Sequence, residues 1–271
     1  MQNFQNKVAV ITGGASGIGW ALAKECAAQG MKVVLADIET ASLEKAAAEL
    51  AASGVEVLAV VTDVAKAEAV AELAQKSVAR FGAVHLLFNN AGVGAGGKIW
   101  ETSLNDWQWS LGVNLWGVIH GIRSFTPIML QQDDECHIVN TASIAGLISG
   151  PGLGSYKVTK HAVVSLTETM YYELKEQGAK IKVSVLCPEF VQTRIWESER
   201  NRPQTLRNPK RKLSDAERSD IEDLRSVVVN GIPAEEVASQ VFDAIRQEKL
   251  YILTHPHTKE WVKRRMEKIL A

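Results

Sequence analysis

Cysteine is scarce in this chain. Cys26, Cys136 and Cys187 are the only three among 271 residues, too few and too far apart for a disulfide framework or a zinc site. No apolar run approaches the roughly 18 residues that span a bilayer, so no membrane partner is expected. The opening residues, MQNFQNK, lack the apolar core of a secretory signal. Charge of one sign is also missing. The 30 Lys and Arg balance 31 Asp and Glu to a formal net charge of −1, which leaves no basic footprint for nucleic acid. Proline is sparse at 7 residues, and no proline-rich linker, fixed-period repeat or composition shift divides the chain. Aliphatic residues are abundant. With 46% hydrophobic and 23% charged residues, the chain has the balance of a globular protein with a sizeable core. A single cytoplasmic domain over residues 1–271 is expected.

Short β-branched runs alternate with longer, alanine-rich amphipathic stretches. The runs are Val8–Thr12, Val33–Ala36, Val55–Val61, Leu86–Phe88, Ile138–Asn140 and Ile181–Leu186. Each is apolar enough to be covered on both faces, as strands of a parallel sheet are. Helices are expected over Ile18–Gln29, Ala41–Ala52, Ala65–Phe81, Leu104–Leu130 and Ser155–Glu176, with Gly30 and Gly178 placed as left-handed caps. This alternation predicts a doubly wound α/β fold. Residues 194–232 break the rhythm: they are charge-rich and carry Pro203 and Pro209. An irregular lid is expected there. A helix (Ala234–Arg246), a short strand (Leu250–Leu253) and a basic terminal helix (Lys259–Leu270) complete the chain.

The first strand runs into Thr12-Gly13-Gly14-Ala15-Ser16-Gly17-Ile18-Gly19, which opens a helix. Glycines there permit a tight turn and let backbone N–H groups approach a pyrophosphate at the helix N-terminus. Asp37, at the end of the second strand, can accept hydrogen bonds from adenosine ribose hydroxyls and would repel a 2′-phosphate. Neither Ala36 nor Ile38 is basic, so NAD is favoured over NADP. Asp63-Val64 closes the third strand and Asn89-Asn90-Ala91-Gly92 the fourth, at the strand ends where doubly wound sheets bind ligands. Asn90 could equally brace the loop backbone. Tyr156 and Lys160 stand one turn apart on a helix. The Lys160 ammonium and a cationic nicotinamide would lower the phenol pKa and make Tyr156 a usable base.

Together, TGGASGIG, Asp37, Asp63-Val64, NNAG, Asn114, Ser143 and YKVTK, in this order, closely resemble the short-chain dehydrogenase/reductases over about residues 5–195. The resemblance implies a Rossmann-like fold of about seven parallel strands. It implies no metal, and homodimers or homotetramers built partly on the two long helices. It implies a catalytic centre of Ser143, Tyr156 and Lys160 supported by Asn114. Its reaction is reversible hydride transfer between nicotinamide and a secondary alcohol or ketone. Tyr156 would move the proton, Ser143 would hold the substrate oxygen, and Asn114 would order a water beside Lys160. Cofactor contacts are expected from Gly13, Ser16, Gly17, Ile18 and Gly19, and from Asp37, Ile38, Asp63 and Val64. Further contacts are expected from Asn90, Ala91 and Gly92, from Tyr156 and Lys160, and from Pro188, Val191 and Thr193. One position departs from the family: Glu189 follows Pro188 where the family usually has glycine.

Small or apolar Val93, Gly94, Ala145, Leu147 and Trp196 suggest an apolar substrate pocket. The stretches FQNKVAVITGGASG, SERNRP and LYILTHP resemble dehydrogenases of bulky aromatic secondary alcohols. Arg194, Arg200, Arg202, Arg207 and Arg211 are expected to be solvated lid charges, with an acidic substrate group as the alternative. His255-Pro256-His257 lacks a nearby acidic partner in sequence and is expected to be an exposed turn. Cys187 borders the site and is open to modification. The terminal helix is expected to dock through Trp261, Val262, Met266, Ile269 and Leu270. A non-catalytic NAD(H)-binding scaffold or sensor of the same fold remains the alternative function.

Overall fold

Strands without a polar face can be placed only inside a sheet covered on both sides. β1 (Val8–Thr12) is buried at every position. In the computed structural model, which describes residues 1–94, 96–209 and 215–271, it lies mid-sheet. Next come β2 (Lys32–Asp37), β3 (Val57–Val61), β4 (Leu86–Asn89), β5 (Cys136–Thr141), β6 (Ile181–Leu186) and β7 (Tyr251–Ile252). Among the described residues these seven strands form one sheet in the order β3-β2-β1-β4-β5-β6-β7. All its pairings are parallel.

The helices are α1 (Gly17–Ala28), α2 (Thr40–Ala52), α3 (Ala67–Phe81), α4 (Leu104–Leu111), α5 (Gly117–Gln132), α6 (Gly154–Glu176), α7 (Asp215–Val229), α8 (Ala234–Arg246) and α9 (Thr258–Leu270). Alternate strand side chains serve opposite faces. Ala9 and Ile11 join Leu22 of α1, Leu43 of α2 and Phe242 of α8. Val8 and Val10 join Leu73 of α3, Phe125 of α5 and Met170 of α6. This is the doubly wound, Rossmann-like architecture expected from the sequence. Among the described residues no helix is long and apolar enough to cross a membrane.

Three expectations need correction. The third strand begins at Val57 rather than Val55, because the Val55 N–H closes the end of α2 on Leu50 O at 3.2 Å. The long helix expected over Leu104–Leu130 is interrupted by a π turn at Gly112–Trp116, which joins α4 to α5. The described residues of the 194–232 segment are not wholly irregular: they hold 3-10 turns at Ile195–Asn201 and Gln204–Leu206, and α7. A parallel bridge between Val191 and Ile232 brings the two ends of that segment together.

Candidate active site

Strand order reverses between β1 and β4, and ligands of doubly wound sheets bind at such a switch point. A cavity of about 790 Å³ lies there, lined by residues that leave the carboxyl ends of β1 to β6. Gly13 turns the chain at φ +64°, and a Cβ on it would lie 2.9 Å from Ala91 Cα. The Ala15 N–H donates to Asp37 Oδ2 at 3.1 Å, and the Glu39 N–H to Asp37 Oδ1 at 3.0 Å. Burial raises the Asp37 carboxyl pKa against these bonds. Ser16 precedes α1 without a side-chain cap, and the first turn carries no acid. An uncapped helix N-terminus on a cavity wall favours an anion. With Gly13 clearing the approach and Asp37 across from it, these residues fit a dinucleotide.

Of the expected cofactor residues, Gly13, Ser16, Gly17, Ile18, Asp37, Ile38, Asp63, Val64, Asn90, Ala91, Gly92, Pro188, Val191 and Thr193 all line the cavity. Gly19 does not. It packs beneath the loop, where a Cβ would fall 2.0 Å from Gly13 O. Asn90 both lines the cavity and braces its loop: Nδ2 donates to Thr12 O at 3.1 Å, and its N–H donates to Thr12 Oγ1 at 2.9 Å.

β5 delivers Ser143 and the first turns of α6 deliver Tyr156 and Lys160 to the same wall. Ser143 Oγ accepts from the Ala145 N–H at 3.1 Å and donates to Pro188 O at 3.3 Å. Burial raises the Tyr156 phenol pKa, and a hydrogen bond with Ser143 opposes that rise. Lys160 Nζ lies 5.5 Å from the Tyr156 ring centre and donates to Thr141 O at 2.9 Å. Burial of this ammonium lowers its pKa to about 8. Desolvation thus outweighs the lowering of the phenol pKa that sequence reasoning expected from Lys160.

Asn114 sits in the π turn, fully buried and off the cavity wall. Its Oδ1 accepts from the Val93 N–H at 2.8 Å and its Nδ2 donates to Val93 O at 2.9 Å. A Cβ on Gly92 would lie 3.4 Å from Asn114 Oδ1 and 3.6 Å from Lys160 Nζ, so the two side chains flank that glycine. Asn114 holds the NNAG loop in place, and π turns of this kind concentrate at functional sites.

The part of the wall expected to face a substrate is largely apolar. Val93, Gly94 and Ala145 line it, as expected. Leu147 and Trp196 are not on the wall. Leu147 packs against the Val118–Val163 cluster, and Trp196 packs under the Arg225 guanidinium at 4.8 Å. Trp109, Ile148, Phe190, Leu224, Val228 and Trp261 line the cavity without having been picked out as pocket residues. Their contacts come from distant elements, so no local spacing announces them. α9 meets the cavity through Trp261, while Met266, Ile269 and Leu270 are exposed rather than packed.

The arginines of the 194–232 segment are mostly paired. Arg200 meets Glu39, Arg194 meets Glu197, and Arg202 is 5% exposed, joined to Asp106 and Glu199 and stacked on Trp109. Arg202 is therefore a buried brace, not a solvated charge. Arg211 lies outside the described residues. His257 has the acidic partner its sequence neighbours lack: Nε2 meets Glu189 Oε2 at 2.7 Å. Cys187 is buried, and desolvation pushes its thiol up to about 12, so it is inert rather than open to modification.

The fold and this arrangement fit a dinucleotide-binding oxidoreductase. A family model for short chain dehydrogenases matches residues 7–204, and the chain belongs to the short-chain dehydrogenase/reductase family. It is similar to a short-chain dehydrogenase/reductase from Burkholderia phymatum solved in complex with NAD, with 49% identity and a TM-score of 0.96 over 99% of this chain and 96% of that one. A "CLA biosynthesis dehydrogenase/reductase" of Lactiplantibacillus plantarum is 36% identical over 100% of this chain and 96% of its own length. A "C alpha-dehydrogenase" of a Sphingobium species is 35% identical, covering 100% of this chain and 87% of its own.

Proposed function

We propose that this protein is an NAD-dependent dehydrogenase of a bulky, hydrophobic secondary alcohol, or a reductase of the matching ketone. The reading rests on the Ser143 and Tyr156 hydroxyls, placed together beside the buried Lys160 ammonium on the wall of an apolar cavity. When bound, the dinucleotide supplies the hydride acceptor or donor. The start of α1, with Gly13, Ser16, Gly17 and Ile18, would take its pyrophosphate. Asp37 would accept from its ribose hydroxyls and select NAD over NADP. Ile38, Asp63 and Val64 would hold the adenosine part, Asn90, Ala91 and Gly92 the middle of the cofactor, and Pro188, Val191 and Thr193 the nicotinamide part.

Tyr156 Oη carries the transferable proton. Burial keeps it protonated, so it is ready to donate to a ketone oxygen, and in the other direction it takes the alcohol proton. Ser143 Oγ exchanges its long bond to Pro188 O for the substrate oxygen where negative charge develops. Lys160 binds the cofactor ribose and stabilises phenolate, and Asn114 keeps the Gly92 backbone, and with it the wall beside Lys160, in place. The same reading includes a homodimer or homotetramer across the long helices, where Trp116, Val158 and Tyr172 are exposed.

The test is NAD reduction with secondary alcohols graded from small aliphatic to bulky aryl-substituted, repeated with NADP and with Tyr156→Phe. Turnover of bulky members with NAD, falling by on the order of a hundredfold or more in the variant, is the expected result. NADH binding without turnover of any alcohol would instead indicate a sensor.

A further inference from the structure

The turn after β6 puts a carboxylate on a cavity wall that is more apolar than polar. Glu189 lines the cavity, and its side chain is only 12% exposed. It follows Pro188, whose carbonyl accepts from Ser143 Oγ and from the Ile144 N–H. The carboxylate is therefore tied through one residue to the hydroxyl assigned to the substrate oxygen. Its surroundings include two histidines. His257 Nε2 meets Oε2 at 2.7 Å, and His255 Nδ1 lies 3.4 Å from the Glu189 N–H while also contacting Thr254 Oγ1 at 2.8 Å. His257 in turn packs edge-on against Trp261, which lines the same cavity.

Among the described residues no side chain bonds the other carboxylate oxygen, Oε1. One cation of the cavity lining is engaged elsewhere: Lys157 Nζ donates to the carbonyls of Gly150, Pro151 and Gly152 at 2.9, 2.9 and 2.7 Å. An ionised carboxylate only accepts hydrogen bonds, and against apolar walls it favours a donor and penalises a second anion.

We propose that Glu189 is a specificity-determining residue. Its carboxylate, positioned by His257 on the cavity wall near Ser143, accepts a hydrogen bond from a hydroxyl on the non-reacting part of the substrate. The enzyme thereby selects neutral, hydroxyl-bearing bulky alcohols or ketones over analogues that carry a carboxylate. This rests on the dehydrogenase reading of the site and names the substrate class within it.

The test uses three matched 1-arylalkanols that differ only in a distal hydrogen, hydroxyl or carboxylate. Their kcat/KM is measured with the wild type, Glu189→Gln and Glu189→Gly, and binding of the three matching ketones is read separately by calorimetry. The wild type should prefer the hydroxyl compound to the hydrogen compound by about tenfold or more, and should disfavour the carboxylate compound by a similar factor. Glu189→Gly should bring both ratios to within about threefold of unity. Glu189→Gln keeps the side-chain shape and an accepting oxygen, so it should retain part of the hydroxyl preference while losing the rejection of the carboxylate. Ratios that stay the same in the wild type and both variants would overturn the proposal. If the wild type turns over none of the three alcohols, the dehydrogenase reading fails. The ketone-binding ratios then still decide the role of Glu189.

Discussion

Arg200 and Glu39 join the two rims of the cavity. The guanidinium lies 2.8 Å from Glu39 Oε1, and the Asn201 side-chain amide donates to the same oxygen at 2.9 Å. Glu39 stands two residues past Asp37, and Arg200 lies in the 3-10 turn at Ile195–Asn201. Burial alone would raise the Glu39 carboxyl, but the bonds from Asn201 and Arg200 hold it below its usual range. Stability from this latch is therefore present at neutral pH and lost as acid protonates Glu39.

Arg200→Ala should open the latch. NADH release, followed by stopped-flow fluorescence, should speed up by about three- to tenfold, and release should depend less on salt in the variant than in the wild type. Unchanged release would mean that the Arg200–Glu39 pair does not control access to the cavity.

Asp37→Ala should weaken NAD binding and relax discrimination against NADP by on the order of tenfold or more. The ratio of kcat/KM for the two cofactors checks this. An unchanged ratio would remove Asp37 as the selector.

Lys160→Met should separate stability from activity. The folded pKa of Lys160 is lowered from 10.5 to about 8, so between those values the unfolded chain holds a proton that the folded chain lacks. Wild-type stability should therefore rise with pH across that window, by up to about 3 kcal/mol. The variant should lack this rise, while its turnover falls by on the order of a hundredfold. Urea unfolding near the two ends of the window measures the difference.

His137→Leu should flatten the acid limb of stability. His137 is fully buried on β5, its Nε2 meets Ser184 Oγ at 2.8 Å, and its Nδ1 has no partner among the described residues. Because Ser184 Oγ donates to Lys249 O, it accepts from Nε2–H, and burial pushes the imidazole down to about 3. The unfolded chain takes up a proton below 6.5 that the folded chain refuses, so stability falls as pH drops through that window. By about pH 4.5 the wild type should lose about 2–3 kcal/mol more than the variant in chemical denaturation.

The strand and helix pattern, the glycine turn before α1, Asp37 at a strand end and the one-turn spacing of Tyr156 and Lys160 were all legible in the chain itself. Each depends on positions within one element or one turn, where backbone geometry fixes which residues can meet. Asn114 was found by its motif, but its setting was not, because a π turn depends on how α4 and α5 pack around the NNAG loop.

Partner choice between distant segments was decided only by the folded packing. Glu189 and His257 are 68 residues apart, and Arg200 and Glu39 are 161 apart. Any of the chain's many acids and bases could satisfy the same chemistry, and only the meeting of β6 with α9, or of the lid with β2, selects these pairs. The same holds for the cavity wall, which took Trp109 and Trp261 and left Leu147 and Trp196 elsewhere. Thus the sequence by itself determined the elements, the fold class and the local motifs, because these follow from periodicity and turn chemistry over a few residues. The tertiary structure alone decided the Arg200–Glu39 contact, the cavity wall and the Glu189–His257 pair, because long-range packing chooses among many equivalent polar and apolar side chains.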